Sequence, residues 1–558
     1  RAAAAMASKL WLLGVSSCLG MHWRLPENLR GTPFEQRLTQ SSGDMDTAFV
    51  VDRPKMENGV LQDLQLANSL SFVVPLDHFN KSNPINMTLR YWIVDSAWNG
   101  SSEAPLIFYM PDEASGGSPE NRAASLAREF GGVEVHTEHR FFGETLPPGG
   151  LKESNLKFLT VEQNLADVEA LTRHVQKKLN LTGPVVATGC SYAGASASWL
   201  RAAYPDTIGA SISGSGPVQA KLDFFEYDQS ISTTLAAISP DCQDSMAKTM
   251  LAFSEVWDEG NSSRDALKRS FLMGDTVGTP LGDVDFLYML ADSVAYSVQY
   301  GDKRAVCDAL AQLSPDASTQ ERTSGWAHFV LASYGTTWAV SEWYDSEWMR
   351  DSQRAGSGRA WYWMTCTQLG YLQSVPLSEP PPRMRSRDLK SDLLQQQCAY
   401  IFPKSTAGVE ATIDKFNQRF GGASPDAVNT SRVIYLRYED DPWAPLQPSA
   451  SRGEELPVFL AGNDADADPS RSCAHCGAGC SVPALQQLNS QTADTLGKWF
   501  GVGRAPRPAQ QAQAEWPPVQ AEHQLPAAGK PKHAAVLADT GTGGVLLPSH
   551  GHIEPHRR

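Results

Sequence analysis

One stretch constrains the fold more than any other. The apolar run Pro184-Val185-Val186-Ala187-Thr188 ends in the small-residue turn Gly189-Cys190-Ser191-Tyr192-Ala193-Gly194, and an amphipathic stretch, Ala195 to Tyr204, follows at once. Strand, tight turn with a central serine, then helix is the context of a nucleophile elbow. The turn lifts Ser191 clear of a sheet, and small flanking residues let the chain bend without clashing. Tyr192 would offer its backbone N–H to an oxyanion, while Ala193 stands where the last glycine of the pattern is usual. Gly/Ser-rich strand ends without chemistry are also common, so the serine needs partners before it means anything.

The rest of the chain supplies a setting. Leu106–Tyr109, Val133–Val135, Val185–Ala187 and Ile208–Ile212 read as short buried strands. Between the second and third, Val161 to Leu179 carries apolar residues at helical spacing: Val161, Leu165, Val168, Leu171 and Val175. A second block repeats the pattern. Val433–Leu436 runs into the loop Glu439-Asp440-Asp441-Pro442-Trp443, Val458–Leu460 runs into a polar loop with His475, and a helix from Pro483 to Phe500 closes it. Strands alternating with helices imply a parallel sheet with crossovers. From about Val218 to Gly356 helical periodicity takes over, and Trp338, Trp343 and Trp348 recur at roughly helical spacing, which reads as core packing. The expected class is α/β: an α/β-hydrolase fold with an inserted, mainly helical cap. The expected division is a leader over 1–22, a hydrolase domain over 45–217 and 357–503, a cap over 218–356 and a disordered tail over 504–558.

Bulk properties narrow the setting. At 558 residues the chain can hold a large core plus an insertion, and a formal charge of −15 argues against nucleic acid and anionic membranes as partners. Leu10 to Val15 is an apolar run after Lys9, like a secretory signal and too short to span a bilayer. Sequons at Asn80, Asn86, Asn99, Asn180, Asn261 and Asn429 agree with export. Of nine cysteines, Cys18 lies in that leader, and the even remainder suggests disulfides, with Cys242–Cys307 and Cys366–Cys398 as plausible pairs. Cys473, Cys476 and Cys480 with His475 also admit a zinc reading, although no second ligand pair at finger spacing follows. Asp464, Asp466 and Asp468 read as a solvated acidic loop, since a calcium loop's glycine and distal glutamate are missing. His550, His552 and His556 read as solvated tail residues. No metal and no cofactor is expected.

A serine hydroxyl needs a base within reach and a third group that fixes the base's tautomer. In α/β-hydrolases the chain order is Ser, acid, His, and Ser191, Asp441 and His475 stand in that order, each just past a strand. Asp440 rivals Asp441 on spacing. His139 follows the second strand, but it precedes the serine.

These residues resemble a known family. Leu76-Asp77-His78-Phe79-Asn80 and Leu89-Arg90-Tyr91-Trp92 look like its N-terminal signature, and Glu138-His139-Arg140-Phe141-Phe142-Gly143-Glu144 resembles another of its segments. So does Asn155 to Gln163. Gly189-Cys190-Ser191-Tyr192, Asp441-Pro442-Trp443 and Ala474-His475-Cys476 are similar to its three catalytic motifs. The family is the prolyl-carboxypeptidase and dipeptidyl-peptidase II group of serine peptidases, and the resemblance covers roughly residues 70 to 500. It implies an exopeptidase, secreted or in a lysosome or vacuole lumen, acting on proline-containing peptides. Ser191 would be nucleophile, His475 base then acid, Asp441 the orienting carboxylate and Tyr192 N–H an oxyanion donor. Glu113 keeps an acidic position that would hold a substrate amine. The chain departs from the pattern at Pro111, Asp112, Ala193, Met364, Gln368, Gly477 and Ala478, positions that bear on substrate recognition. A catalytically weakened homologue acting as a binding protein, and an esterase or lipase on the same scaffold, remain rival readings. Carboxypeptidase and dipeptidyl-peptidase action stay undivided, and a homodimer stays open.

Overall fold

Residues Val185–Cys190 form the central strand, β5, and five of its six residues are buried between two layers of helices. A strand covered on both faces selects a continuous apolar run. In the computed structural model, which describes residues 69–113, 122–274, 282–378, 381–405, 408–462 and 473–502, this strand sits within an eight-stranded sheet. The strands are β1 (Leu70–Pro75), β2 (Asn86–Val94), β3 (Leu106–Tyr109), β4 (Val133–Thr137), β5, β6 (Ala210–Gly214), β9 (Val433–Tyr438) and β10 (Val458–Ala461), in the order β1-β2-β4-β3-β5-β6-β9-β10. β2 is antiparallel to both its neighbours, and β4 through β10 run parallel. This is the α/β-hydrolase fold.

Period-two alternation divides the core between the two faces. On β3, Leu106 and Phe108 join one cluster and Ile107 the other. The helices Arg122–Phe130 and Val482–Phe500 cover the second face, where Ile107, Val186, Ile212 and Ile434 meet Leu126, Leu488 and Leu496. The helices Val161–Leu179 and Tyr192–Ala203 cover the first. Val161–Leu179 has the bounds its periodicity predicts. Thr160 caps its start by accepting from Gln163 N–H, and left-handed Asn180 ends it.

Between β6 and β9 the chain adds no strand to the large sheet among the described residues. It forms helices Glu226–Ile238, Pro240–Asp258, Gly282–Gln299, Lys303–Leu310 and Thr319–Tyr334, and helices continue past Gly356 through Ser357–Met364, Ser391–Ile401 and Val409–Phe420. The boundary expected at 356/357 therefore falls inside the helical run. A two-stranded sheet, β7 (Lys221–Asp223) with β8 (Gly370–Leu372), closes the base of this region. Gly282–Gln299 is its core helix, apolar on nearly every side. The three tryptophans do not share one helix. Trp343 lies in a 3-10 turn, Trp348 in the short helix Ser346–Arg350, and Trp338 in the turn before them; Trp338 is buried, the others half-buried. Turns set that spacing, not a helical stripe.

All eight cysteines among the described residues are paired: Cys190–Cys476, Cys242–Cys307, Cys366–Cys398 and Cys473–Cys480. This corrects the zinc reading, since the three clustered thiols are consumed as disulfides, and no group able to hold a metal occurs among the described residues. No described helix is long and apolar enough to cross a membrane. The leader, the aspartates 464, 466 and 468, and the tail histidines lie outside the described residues.

Candidate active site

β5 ends at Cys190, and the chain turns so sharply that Ser191 takes φ 57 and ψ −132. A non-glycine residue rarely holds a positive φ. Two contacts pin it. Ser191 N–H donates to Gly214 O on β6 at 3.0 Å, and Ser191 O accepts from Ala195 N–H at 3.0 Å in the helix behind. Glycines make the turn fit: a Cβ on Gly194 would lie 2.4 Å from Gly214 O, and one on Gly189 would lie 2.5 Å from the Ala193 carbonyl carbon. Ala193 itself fits, fully buried. Tyr192 begins the helix, where the first N–H groups lack intrahelical acceptors.

The loop after β3 sits beside this turn. Met110 N–H is committed to Thr188 O at 2.8 Å, and Pro111 has no N–H to give. The first amide beyond them is that of Asp112. Half-buried Glu113 follows, and its charge bears on the phenols of Tyr192 and Tyr300.

β9 and β10 bring the other two residues. Asp441, past β9, is buried and holds three donors: His475 Nδ1 at 2.8 Å and Trp443 N–H at 3.0 Å on Oδ1, and Gln447 Nε2 at 2.7 Å on Oδ2. Burial pushes its carboxyl upward, but these partners outweigh that and keep it below the usual carboxylate range. With Nδ1 held by the carboxylate, His475 Nε2 is buried and without a hydrogen-bond partner among the described residues. The structure therefore pairs His475 with Asp441 and leaves the Ser191 hydroxyl unbonded to the ring; catalytic hydrogen bonds often close only with substrate present. The two halves are joined another way: Cys190, just before Ser191, is bonded to Cys476, just after His475, with 5.8 Å between their Cα atoms.

The rivals have other duties. Asp440 forms an ion pair with Lys303 and accepts from Thr234, tying the cap to the sheet. His139 is fully buried, between Arg140 O at 2.7 Å and the Tyr192 hydroxyl at 2.9 Å. Burial lowers its pKa to about 4, so it stays neutral. Arg140 pairs with Asp167 and with the carbonyls of Leu76 and Phe158, and Glu138 binds Arg90 and Thr145. That whole segment builds scaffold beneath the elbow. Gln368 does too, accepting from Val161 N–H at 2.9 Å and donating to Glu162.

Sequence reasoning missed an aromatic wall beside the base. Trp443 lies 6.3 Å from the His475 ring and packs on Phe224, Tyr227 and Tyr371 at 5.4 Å each. Its Nε1–H donates to Gln299 Oε1 at 3.0 Å, which also accepts from Tyr227. Trp443 could have been found from the Asp-Pro-Trp motif; its partners Phe224, Tyr227 and Gln299 lie more than a hundred residues away in the chain.

A serine on an elbow after β5, with a buried carboxylate–imidazole pair past the last two strands, defines a serine hydrolase scaffold. Residues 74–468 match the model of the serine carboxypeptidase S28 family, so the chain belongs to that family of serine peptidases. Human thymus-specific serine protease is 28% identical over 416 residues, covering 69% of this chain and 78% of that protein. Its mouse counterpart is 27% identical, covering 69% and 79%. A probable extracellular serine carboxypeptidase of Arthroderma benhamiae is 27% identical, covering 66% of this chain and 58% of that protein. The matched region contains Ser191 and Asp441 and stops short of His475.

Proposed function

We propose that this chain is a secreted serine exopeptidase that cleaves peptides next to proline. Ser191 attacks the scissile carbonyl while His475 Nε2 takes its proton, and Asp441 holds the ring with Nε2 facing the reaction and stabilises the imidazolium. The imidazolium gives that proton to the leaving amine as the C–N bond breaks, and water then hydrolyses the ester on Ser191, with the same imidazole acting first as base on the water and then as acid to the serine oxygen. Tyr192 N–H receives the developing oxyanion. The observation that carries this reading is the buried Asp441–His475 pair with Nε2 uncommitted.

Two features support the substrate class. The aromatic cluster of Trp443, Phe224, Tyr227 and Tyr371 beside His475 supports an apolar, proline-sized residue next to the scissile bond. Glu113, beside the elbow, would hold a substrate's terminal amine, which favours dipeptidyl-peptidase action over carboxypeptidase action. Four disulfides, and sequon asparagines at 80, 86, 99, 180, 261 and 429 that are all exposed, support export and glycosylation.

A weakened homologue is the second reading. It is favoured by Pro111, which removes an amide from the loop that supplies the other oxyanion donor in this fold. Purified protein and its Ser191→Ala variant, tested on prolyl-dipeptide reporters and on peptides ending Pro-X, separate these readings. Release of a dipeptide or a C-terminal residue by the parent alone supports exopeptidase action. Turnover no greater than that of the variant contradicts it.

A further inference from the structure

We infer that Cys190 and Cys476 are positioning residues for catalysis: their disulfide holds the nucleophile and the base in register. The inference rests on the reading of Ser191 as nucleophile and His475 as base. Each cysteine is the immediate sequence neighbour of one catalytic candidate, and the bond joins segments 286 residues apart. From the Ser191 backbone to the His475 backbone the covalent path is one disulfide and its two residues.

The rest of the His475 loop shows why such a bond matters. The loop is not part of a strand. It is a 3-10 turn, His475–Gly477, in which Cys476 itself holds φ 61. Gly477 and Gly479 also have positive φ. Cys473–Cys480 closes this turn into a small ring around His475, and that bond shapes the turn without fixing it to the sheet. Outside contacts of its backbone are few: Asp440 N–H to Cys473 O at 2.9 Å and Cys476 N–H to Ser215 Oγ at 2.8 Å. The Asp441 contact fixes the ring to its carboxylate, not to the serine. The Cys190–Cys476 bond is the strongest tie running from this loop to the elbow. Effective concentration between two reacting groups depends steeply on such alignment, and small misplacements cost large factors in rate. The other long-range disulfide, Cys242–Cys307, joins two cap helices and touches neither catalytic segment.

The test compares two double variants that leave no free thiol, C190A/C476A and C242A/C307A, with the parent chain. Three quantities are read: the labelling rate of Ser191 by a fluorophosphonate, kcat and KM on a peptide the parent cleaves, and near-UV circular dichroism as a check on folding. The expected result is a fall of at least tenfold in labelling rate and kcat for C190A/C476A, with KM within threefold of the parent. C242A/C307A should keep both rates within threefold. A folded C190A/C476A with parental rates overturns the inference, and so does an equal loss of rate in both variants. If C190A/C476A does not fold, the parent is titrated with a phosphine. That reagent and one water turn the disulfide into two thiols and a phosphine oxide, and the thiols are trapped with iodoacetamide. Activity should fall in step with modification of Cys190 and Cys476; activity retained after both are modified overturns the inference. If the parent itself is not labelled at Ser191, the catalytic reading fails first and the positioning claim fails with it. Parental labelling with an unaffected variant sinks the positioning claim alone.

Discussion

Replacing Asp441 with Asn keeps the shape of the site and removes one charge. Asp441 Oδ1 lies 2.8 Å from His475 Nδ1, both groups are buried, and among the described residues Trp443 N–H and Gln447 share the carboxylate. In the proposed mechanism His475 takes the Ser191 proton, and an imidazolium forms against that carboxylate. Two unit charges about 4 Å apart attract by about 4 kcal/mol at an effective dielectric constant of about 20. The amide supplies none of this. It can also turn its NH2 toward Nδ1 and force the proton onto Nε2, the wrong nitrogen for accepting from serine. At about 1.4 kcal/mol per decade, the lost charge alone slows the step by roughly a thousandfold. The assay is the fluorophosphonate labelling rate of Ser191, which needs no knowledge of the substrate, followed by kcat on any peptide the parent cleaves. Asp440→Asn is the control. It breaks the Lys303 ion pair between cap and sheet and should cost less than about tenfold, because no such charge forms beside it. Labelling of D441N within tenfold of the parent, or a larger loss in D440N, would refute the reasoning.

Other outcomes follow from the same geometry. Ser191→Gly should abolish labelling yet raise stability by about 1 kcal/mol over Ser191→Ala, because glycine relieves a positive φ that costs roughly 1–3 kcal/mol; matched denaturant midpoints would contradict this. Gly194→Ala should lose labelling in a folded protein, since its Cβ would sit 2.4 Å from Gly214 O and push the helix off the sheet; parental labelling would contradict it. His139 has a folded pKa of about 4 against 6.5, so the unfolded chain binds the extra proton between those values. Its stabilisation is complete above about pH 6.5 and is lost as pH falls toward 4, by about 3 kcal/mol. His139→Gln should flatten that slope in denaturation curves. Asp285 works in the opposite sense: burial raises its pKa from 3.8 to about 7, so its contribution is complete below about pH 4 and is lost as pH rises toward 7. Asp285→Asn should remove that decline, and an unchanged slope would count against it.

Much of the fold could be read from the chain because buried parallel strands must be apolar throughout. Val185–Cys190 and Val433–Tyr438 announce themselves in that way. The alternating strand Leu70–Pro75, with one face exposed, gave a weaker signal and was not read from the sequence. The three candidate catalytic residues were legible because each follows a readable strand in the order Ser, Asp, His. The contacts of their rivals come from residues distant in sequence: Lys303 pairs with Asp440, and the Tyr192 hydroxyl bonds His139. The cysteine pairing at the site was not legible at all. Cys473, Cys476 and Cys480 look alike in sequence, and only the folded loop sends Cys476 to Cys190 while closing the other two on each other.

The central claim is that Ser191 is activated by His475. Its most direct measurement is a fluorophosphonate reaction followed by mass mapping of the adduct, in the parent and in His475→Ala. The account predicts one adduct, on Ser191, formed at least a thousandfold more slowly without the imidazole. An unmodified Ser191 in folded parent protein, or equal rates in the two, would contradict it.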